Sequence, residues 1–417
     1  MKVLDGFDVK IFTDNIEKNA LAQIKELLSI DVFSDKKIRI MPDVHAGAGC
    51  VIGFTGDLGD KVIPNIVGVD IGCGMRVLKL GKLGDIDFHS FHRHILANVP
   101  SGKWAREEKK GFKPLAGCEM DIYREAKCLV TELHCYRDIK DSVRINKSIG
   151  SLGGGNHFIE LDKDDEDNVY LVIHTGSRNL GKQVAEIYQG LAVRHMTPGN
   201  DEFEESLRLT IEEYKAAGRR SELQRVIRNM RKAHKESQPS ISAELCYVEG
   251  ELRERYLHDM RLCQRWAVLN RRLIALLLLK FFPGVSVGEE FESVHNYISD
   301  DNVIRKGAIS ASSGERCIIP LNMRDGSLLC TGKGNPDWNQ SAPHGAGRVL
   351  SRAQAQKEIT MADFEASMAG IYSESVNDST IDESPMVYKP ASEIIANIGE
   401  TVDIDAIVRP IFNFKAS

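Results

Sequence analysis

Gly68-Val69-Asp70-Ile71-Gly72-Cys73-Gly74 sets a carboxylate and a thiol three residues apart inside a frame of glycines. That spacing lets the Asp70 carboxylate and the Cys73 sulfur converge on one point, while the glycines permit backbone angles that other residues resist. A thiolate beside a carboxylate is a metal-site composition. The other reading of these seven residues is a tight turn in which Asp70 caps a helix and Cys73 fills the core. The flanks decide between them. Residues 75–80 (Met-Arg-Val-Leu-Lys-Leu) read as a strand, so the motif sits at a strand mouth in a chain expected to mix helices and sheets.

Working outward, the same context recurs. Residues 37–41 alternate like a strand, are expected to be cut off by Pro42, and deliver Asp43 and His45 to a strand end. Those two residues either serve a functional loop or bond each other and the turn. Gly153, Gly154 and Gly155 free the backbone to approach a ligand, and Asn156-His157 follows before another short apolar strand. The apolar run 169–173 ends in His174-Thr175-Gly176-Ser177-Arg178, and His295 enters from the strand-like run 291–297. Pro343-His344-Gly345-Ala346-Gly347-Arg348 is expected to open a helix over 349–357. Free N–H groups, the helix dipole and Arg348 would then make an anion nest facing His344.

The remaining chain frames these motifs. The composition, 42% hydrophobic and 27% charged with a net charge of -6, is that of a globular protein whose polyanion partners would need a local basic patch. The nine cysteines lack CxxC pairs, which points to a reducing, cytoplasmic setting. Residues 1–5 carry no secretory pattern, and the apolar run 273–282 is too short for a bilayer span, so no membrane association is expected. Helical spacing at 14–30 places Leu21, Ile24, Leu27 and Leu28 on one face. His89, His92 and His94 read as exposed residues of a polar helix rather than ligands. A mostly helical excursion is expected at about 183–285. Within it Arg225, Arg228, Arg231 and Lys235 form a basic stripe, a solvated helix face or a contact for nucleic-acid phosphates. We find no repeat and no G-x-x-x-x-G-K-[ST] loop, and read one domain over 1–417.

Taken together, Asp70, Cys73, His157, His174 and His295 can hold two divalent ions bridged by the thiolate, a pair suited to in-line phosphoryl chemistry. Softness favours zinc, while carboxylate and imidazole also accommodate manganese; residue types leave the metal open. His344, with an anion nest, is a competent nucleophile toward an activated phosphate.

The runs 41–45, 67–75, 154–160, 174–178, 295–297, 305–308 and 344–348 resemble, in order, the motifs of the RtcB-type RNA-splicing ligases. The resemblance covers nearly the whole chain. It implies an α/β (α+β mixed) fold with central β-sheets around a dinuclear site. It also implies GTP- and Mn2+-dependent joining of RNA 2',3'-cyclic phosphate or 3'-phosphate ends to 5'-hydroxyl ends, in RNA repair or tRNA splicing. By this likeness His344 carries GMP, and Asp70, Cys73, His157, His174 and His295 hold two Mn2+ ions. Asn156 and Arg178 would hold phosphates, and Phe158, Glu160 and Tyr388 would line the guanylate pocket. Lys415 would contact guanine, and an activating helper protein is a further partner to look for. Asn322 occupies the guanylate loop, followed by Gly345, Ala346, Gly347 and Arg348 around the nucleophile. Leu321-Asn322, Pro343, Ala48 and the Lys-Ala-Ser tail depart from the family's usual residues and mark a divergent branch. The rival readings are a metal-dependent phosphodiesterase or phosphatase acting on RNA ends without ligation, and an RNA-end binding protein that uses the basic stripe.

Overall fold

The computed structural model describes residues 2–4, 6–106, 112–197, 200–237 and 241–416, with side chains for all of these except 200, 201 and 235–237. Its architecture is mixed α/β, as expected. The larger sheet has seven strands in the order Glu290–Val294, Gly74–Lys82, Asn168–Thr175, Phe158–Lys163, Val402–Lys415, Gly326–Gly332 and Arg316–Asn322. Every residue of Asn168–Thr175 is buried, because helices and loops cover both faces of the sheet, and its near-continuous apolar run follows from that. The smaller sheet orders Lys2–Val3, Val9–Ile11, Ile38–His45, Ile52–Asp57, Val303–Lys306 and Asn296–Ile298.

Several sequence expectations are corrected by the fold. Pro42 does not end its strand, which runs from Ile38 to His45. The ladder with Ile52–Asp57 is interrupted between Ile40 and His45, so the N–H that proline lacks is not required there. The Lys-Ala-Ser tail is not free of the fold: Lys415 closes the 14-residue strand Val402–Lys415, set between Phe158–Lys163 and Gly326–Gly332. Finally, the helix after His344 begins at Arg352, not 349, and ends at Glu358. Ser351 caps it with a reciprocal bond to Gln354. Residues 344–350 are therefore loop, and the glycines do not offer a helix N-terminus.

The helix Lys18–Leu28 buries Ile24, Leu27 and Leu28 on one face as expected. Of the helices within 183–285, the long Gly250–Leu279 and the neighbouring Arg178–Met196 contribute Trp266, Met260, Tyr256, Tyr188 and Val184 to the main hydrophobic core. Asn200–Ala216 and Arg220–Ser237 instead pack mainly on each other. Arg225, Arg228 and Arg231 are exposed on that pair, while the side chain of Lys235 lies outside the described residues. His92 is buried and not surface-exposed as expected, its ring against Phe414. No helix among the described residues is long and apolar enough to cross a membrane.

Candidate functional site

The two sheets meet at an open cavity of about 760 Å³. Asp70, Cys73, Asn156, Phe158, Glu160, His174, His295, Asn322, His344, Gly345, Ala346, Gly347, Arg348, Tyr388 and Lys415 all line it. His157 and Arg178 stand behind this lining. Apart from Asp70, which lies in the turn before Cys73, each metal-type side chain is delivered by a strand end. Cys73 precedes Gly74–Lys82, His157 precedes Phe158–Lys163, His174 closes Asn168–Thr175, and His295 links two strands. The glycine at 72 is required: at φ +71 a Cβ there would come within 2.9 Å of the long helix at Gln264.

Two ligand triads share the Cys73 sulfur, Asp70/Cys73/His157 and Cys73/His174/His295. Cys73 Sγ lies 3.4 Å from Nε2 of both His157 and His174. His157 Nε2 is 2.9 Å from Asp70 Oδ2, and His174 Nε2 is 3.4 Å from His295 Nε2. The Nδ1 groups of His157 and His174 donate to the carbonyls of Leu152 and Asn156 at 3.0 and 3.2 Å. That leaves both Nε2 atoms as bare lone pairs facing the site. Lone pair then meets carboxylate, thiol and lone pair, an arrangement that positive charge relieves. Asp70 Oδ1, buried without a hydrogen-bond partner among the described residues, adds a further donor atom. Two divalent ions fit this set. Burial holds His174 and His295 well below the ordinary imidazole value, so both are neutral ligands at physiological pH. Burial pushes the Cys73 thiol up, with the Asp70 charge adding to it.

The His344 ring centroid is 5.0 Å from that of His295. Its Nδ1 lies 2.6 Å from Asp43 Oδ2, which also accepts the His344 backbone N–H at 3.1 Å. Asp43 is fully buried. The pair holds the ring with Nε2 toward the cavity. Both options for Asp43 and His45 are met in part: the His45 ring bonds the Asp43 carbonyl at 3.0 Å and lines the cavity, while the carboxylate belongs to His344. Its partner is 301 residues away, so no local signal could have found it.

The side of the cavity around Tyr388 and Lys415 is held by ion pairs. Glu383 accepts from Lys415 Nζ at 2.9 Å, Tyr388 OH at 2.7 Å and Arg352 at 2.7 Å. Burial alone would raise its carboxyl, but Lys415 and Arg352 pull it down to about 2. Arg348 bonds Leu350 O, Asp382 O and Glu383, so it braces the loop where the sequence suggested an anion clamp. Asn322 spends its amide on the turn to Asp325. Glu160 takes a bond from Asn413 at 2.5 Å, and burial pushes its carboxyl up. Lys415 Nζ sits 5.8 Å over the Phe158 ring.

The model of the family described as tRNA-splicing ligase RtcB matches residues 23–416. The chain belongs to the RtcB family. It is 28% identical to the RNA-splicing ligase RtcB of Escherichia coli K12, over 98% of this chain and 97% of that protein. It is 26% identical to the tRNA-splicing ligase RtcB of Nanoarchaeum equitans, over 91% of this chain and 88% of that one. RtcB proteins are RNA ligases, and this member has the family's sheets and a metal-capable His/Cys/Asp cluster.

Two residues that no motif announced hold this RtcB centre together. Asn270 accepts the amides of Gly150 and Ser151 and donates to Ser151 O and Gly176 O. Arg271 donates to Gly72 O and Thr175 O and pairs with Glu292. Both are fully buried on the long helix, and together they tie down the loops that carry Cys73, His157 and His174.

Proposed function

We propose that this RtcB-family chain, acting as one catalytic domain, is a GTP- and Mn2+-dependent RNA ligase. It would join 2',3'-cyclic phosphate or 3'-phosphate ends to 5'-hydroxyl ends through a guanylylated His344. The observation that carries this reading is the Asp43–His344 pair beside the two-ion cage. His344 Nε2 attacks the α-phosphorus of GTP; a P–N bond forms and pyrophosphate leaves. Asp43 keeps the proton on Nδ1 and stabilises the cationic ring that results. The guanylate then passes to an RNA 3'-phosphate, breaking the P–N bond and making an anhydride. The 5'-hydroxyl attacks the 3'-phosphate, GMP departs, and the hydroxyl proton goes to a base. A 2',3'-cyclic end is first opened by water to the 3'-phosphate. Bound divalent ions would neutralise phosphate charge and stabilise the attacking and leaving oxygens. Phe158 and Tyr388 supply walls for the base, and Glu160 and Lys415 supply an acceptor and a donor for its edge. Asn156, at the cavity wall, would meet phosphate oxygens.

Incubation with GTP and MnCl2 followed by intact mass measurement tests this. A GMP adduct is expected on the wild type and none on His344→Ala. If no adduct forms, and cyclic ends are opened without GTP whether or not His344 is present, the chain is a phosphodiesterase instead.

A further inference from the structure

Among the described residues, one other group of side chains outside the cavity converges as metal ligands do. His134, in the turn after helix Cys118–Glu132, and His258 and Asp259, on helix Gly250–Leu279, bring their donor atoms within 4.8 Å of one another. Asp259 is fully buried, and both histidines are exposed. The carboxylate is fixed in place. Oδ1 accepts the His134 amide at 2.9 Å, and Oδ2 accepts the Cys135 amide at 3.0 Å and the Tyr188 hydroxyl at 2.8 Å. His258 Nδ1 lies 2.9 Å from Asp259 Oδ1, the same separation as His157 and Asp70 in the catalytic cage. The His134 and His258 ring centroids lie 4.5 Å apart, with the ring planes tilted by 55°.

We propose that His134, His258 and Asp259 form a separate site for a single divalent transition ion of the zinc type. Two imidazoles and one carboxylate are a ligand set that zinc accepts, with a fourth position left to water. The approach is from solvent, over the two exposed rings, onto a carboxylate that packing has already oriented. The ion joins the turn at His134 to the helix that carries Asn270 and Arg271, and so stiffens the element that ties down the catalytic loops. Three segments already meet at Asp259, and metal binding adds a bond between two of them that the unfolded chain does not have.

Equilibrium dialysis of the full chain against ZnCl2, followed by metal analysis, tests the site. The wild type is expected to take up one more equivalent than the His134→Ala/His258→Ala double variant, and Zn2+ is expected to raise the melting temperature of the wild type more. Guanylylation should not differ between them, which separates this test from that of the ligase reading. Asp259→Asn, with folding checked by circular dichroism, is expected to weaken uptake of that equivalent by about 10- to 100-fold. Equal uptake by wild type and double variant overturns the site. So does undiminished uptake by Asp259→Asn, which would mean adventitious binding to two surface histidines.

Discussion

Asp43 offers one carboxylate oxygen to both the backbone and the ring of His344, so its charge sets the orientation and proton of that imidazole. Asp43→Asn keeps the shape and removes the charge. We expect single-turnover adduct formation to fall by about 10²- to 10⁴-fold with the melting temperature little changed, read by quenched-flow mass analysis. The same loop depends on Gly347, which sits at φ +77 where a Cβ would run into the Asp43 carbonyl. Gly347→Ala should therefore separate His344 from Asp43 and lower adduct yield although no polar group is lost. Glu383 gives a pH prediction. Its folded value of about 2 lies below the ordinary 4.5, so its stabilisation is complete above 4.5 and is lost as pH falls through 2. That contribution is on the order of 3 kcal/mol. Denaturant titrations between pH 5 and 2 should show a flatter decline for Glu383→Gln than for the wild type.

The long helix Gly250–Leu279 is the element on which the cage depends. Arg271 serves two carbonyls, one on the Cys73 loop and one after His174. Arg271→Met leaves those carbonyls without their donor and removes one of the two arginines that balance Glu292, which Arg76 then holds alone. We expect a loss of roughly 3–5 kcal/mol in stability and a 10- to 100-fold fall in Mn2+ affinity, measured by thermal melts and calorimetry. Adding Glu292→Gln should recover stability but not metal binding, because the carbonyls stay untethered. A variant that keeps wild-type Mn2+ affinity would show that the loops hold their own geometry.

Across the whole molecule, the strand Val402–Lys415 bridges two halves of the larger sheet and brings Lys415 to the cavity. Deleting it exposes the ladders of two inner strands, and we expect an unfolded product by circular dichroism. Residues 200–237 are the opposite case. Their two helices pack mainly on each other, so replacing them by a short Gly/Ser linker should leave the melting temperature within a few degrees. The same deletion removes Arg225, Arg228 and Arg231. A large, salt-dependent drop in RNA affinity with adduct formation intact would assign that face to phosphate contact.

Local chemistry alone was enough to locate Cys73, His157, His174, His295 and His344, because each sits beside a glycine turn or strand end that leaves a mark in a few consecutive residues. The mixed α/β class followed from the same short patterns. Pro42 and the C-terminal tail were misread, since a proline's cost depends on whether a partner strand needs its N–H, and a strand's place in a sheet depends on neighbours far along the chain. The bond between Asp43 and His344, and the roles of Glu383, Asn270 and Arg271, were invisible for the same reason. A buried polar group is defined by the partner that satisfies it, and most of those partners are separated from them by tens to hundreds of residues. The sequence by itself determined which groups could do chemistry; tertiary packing decided which of them are held, charged and aimed.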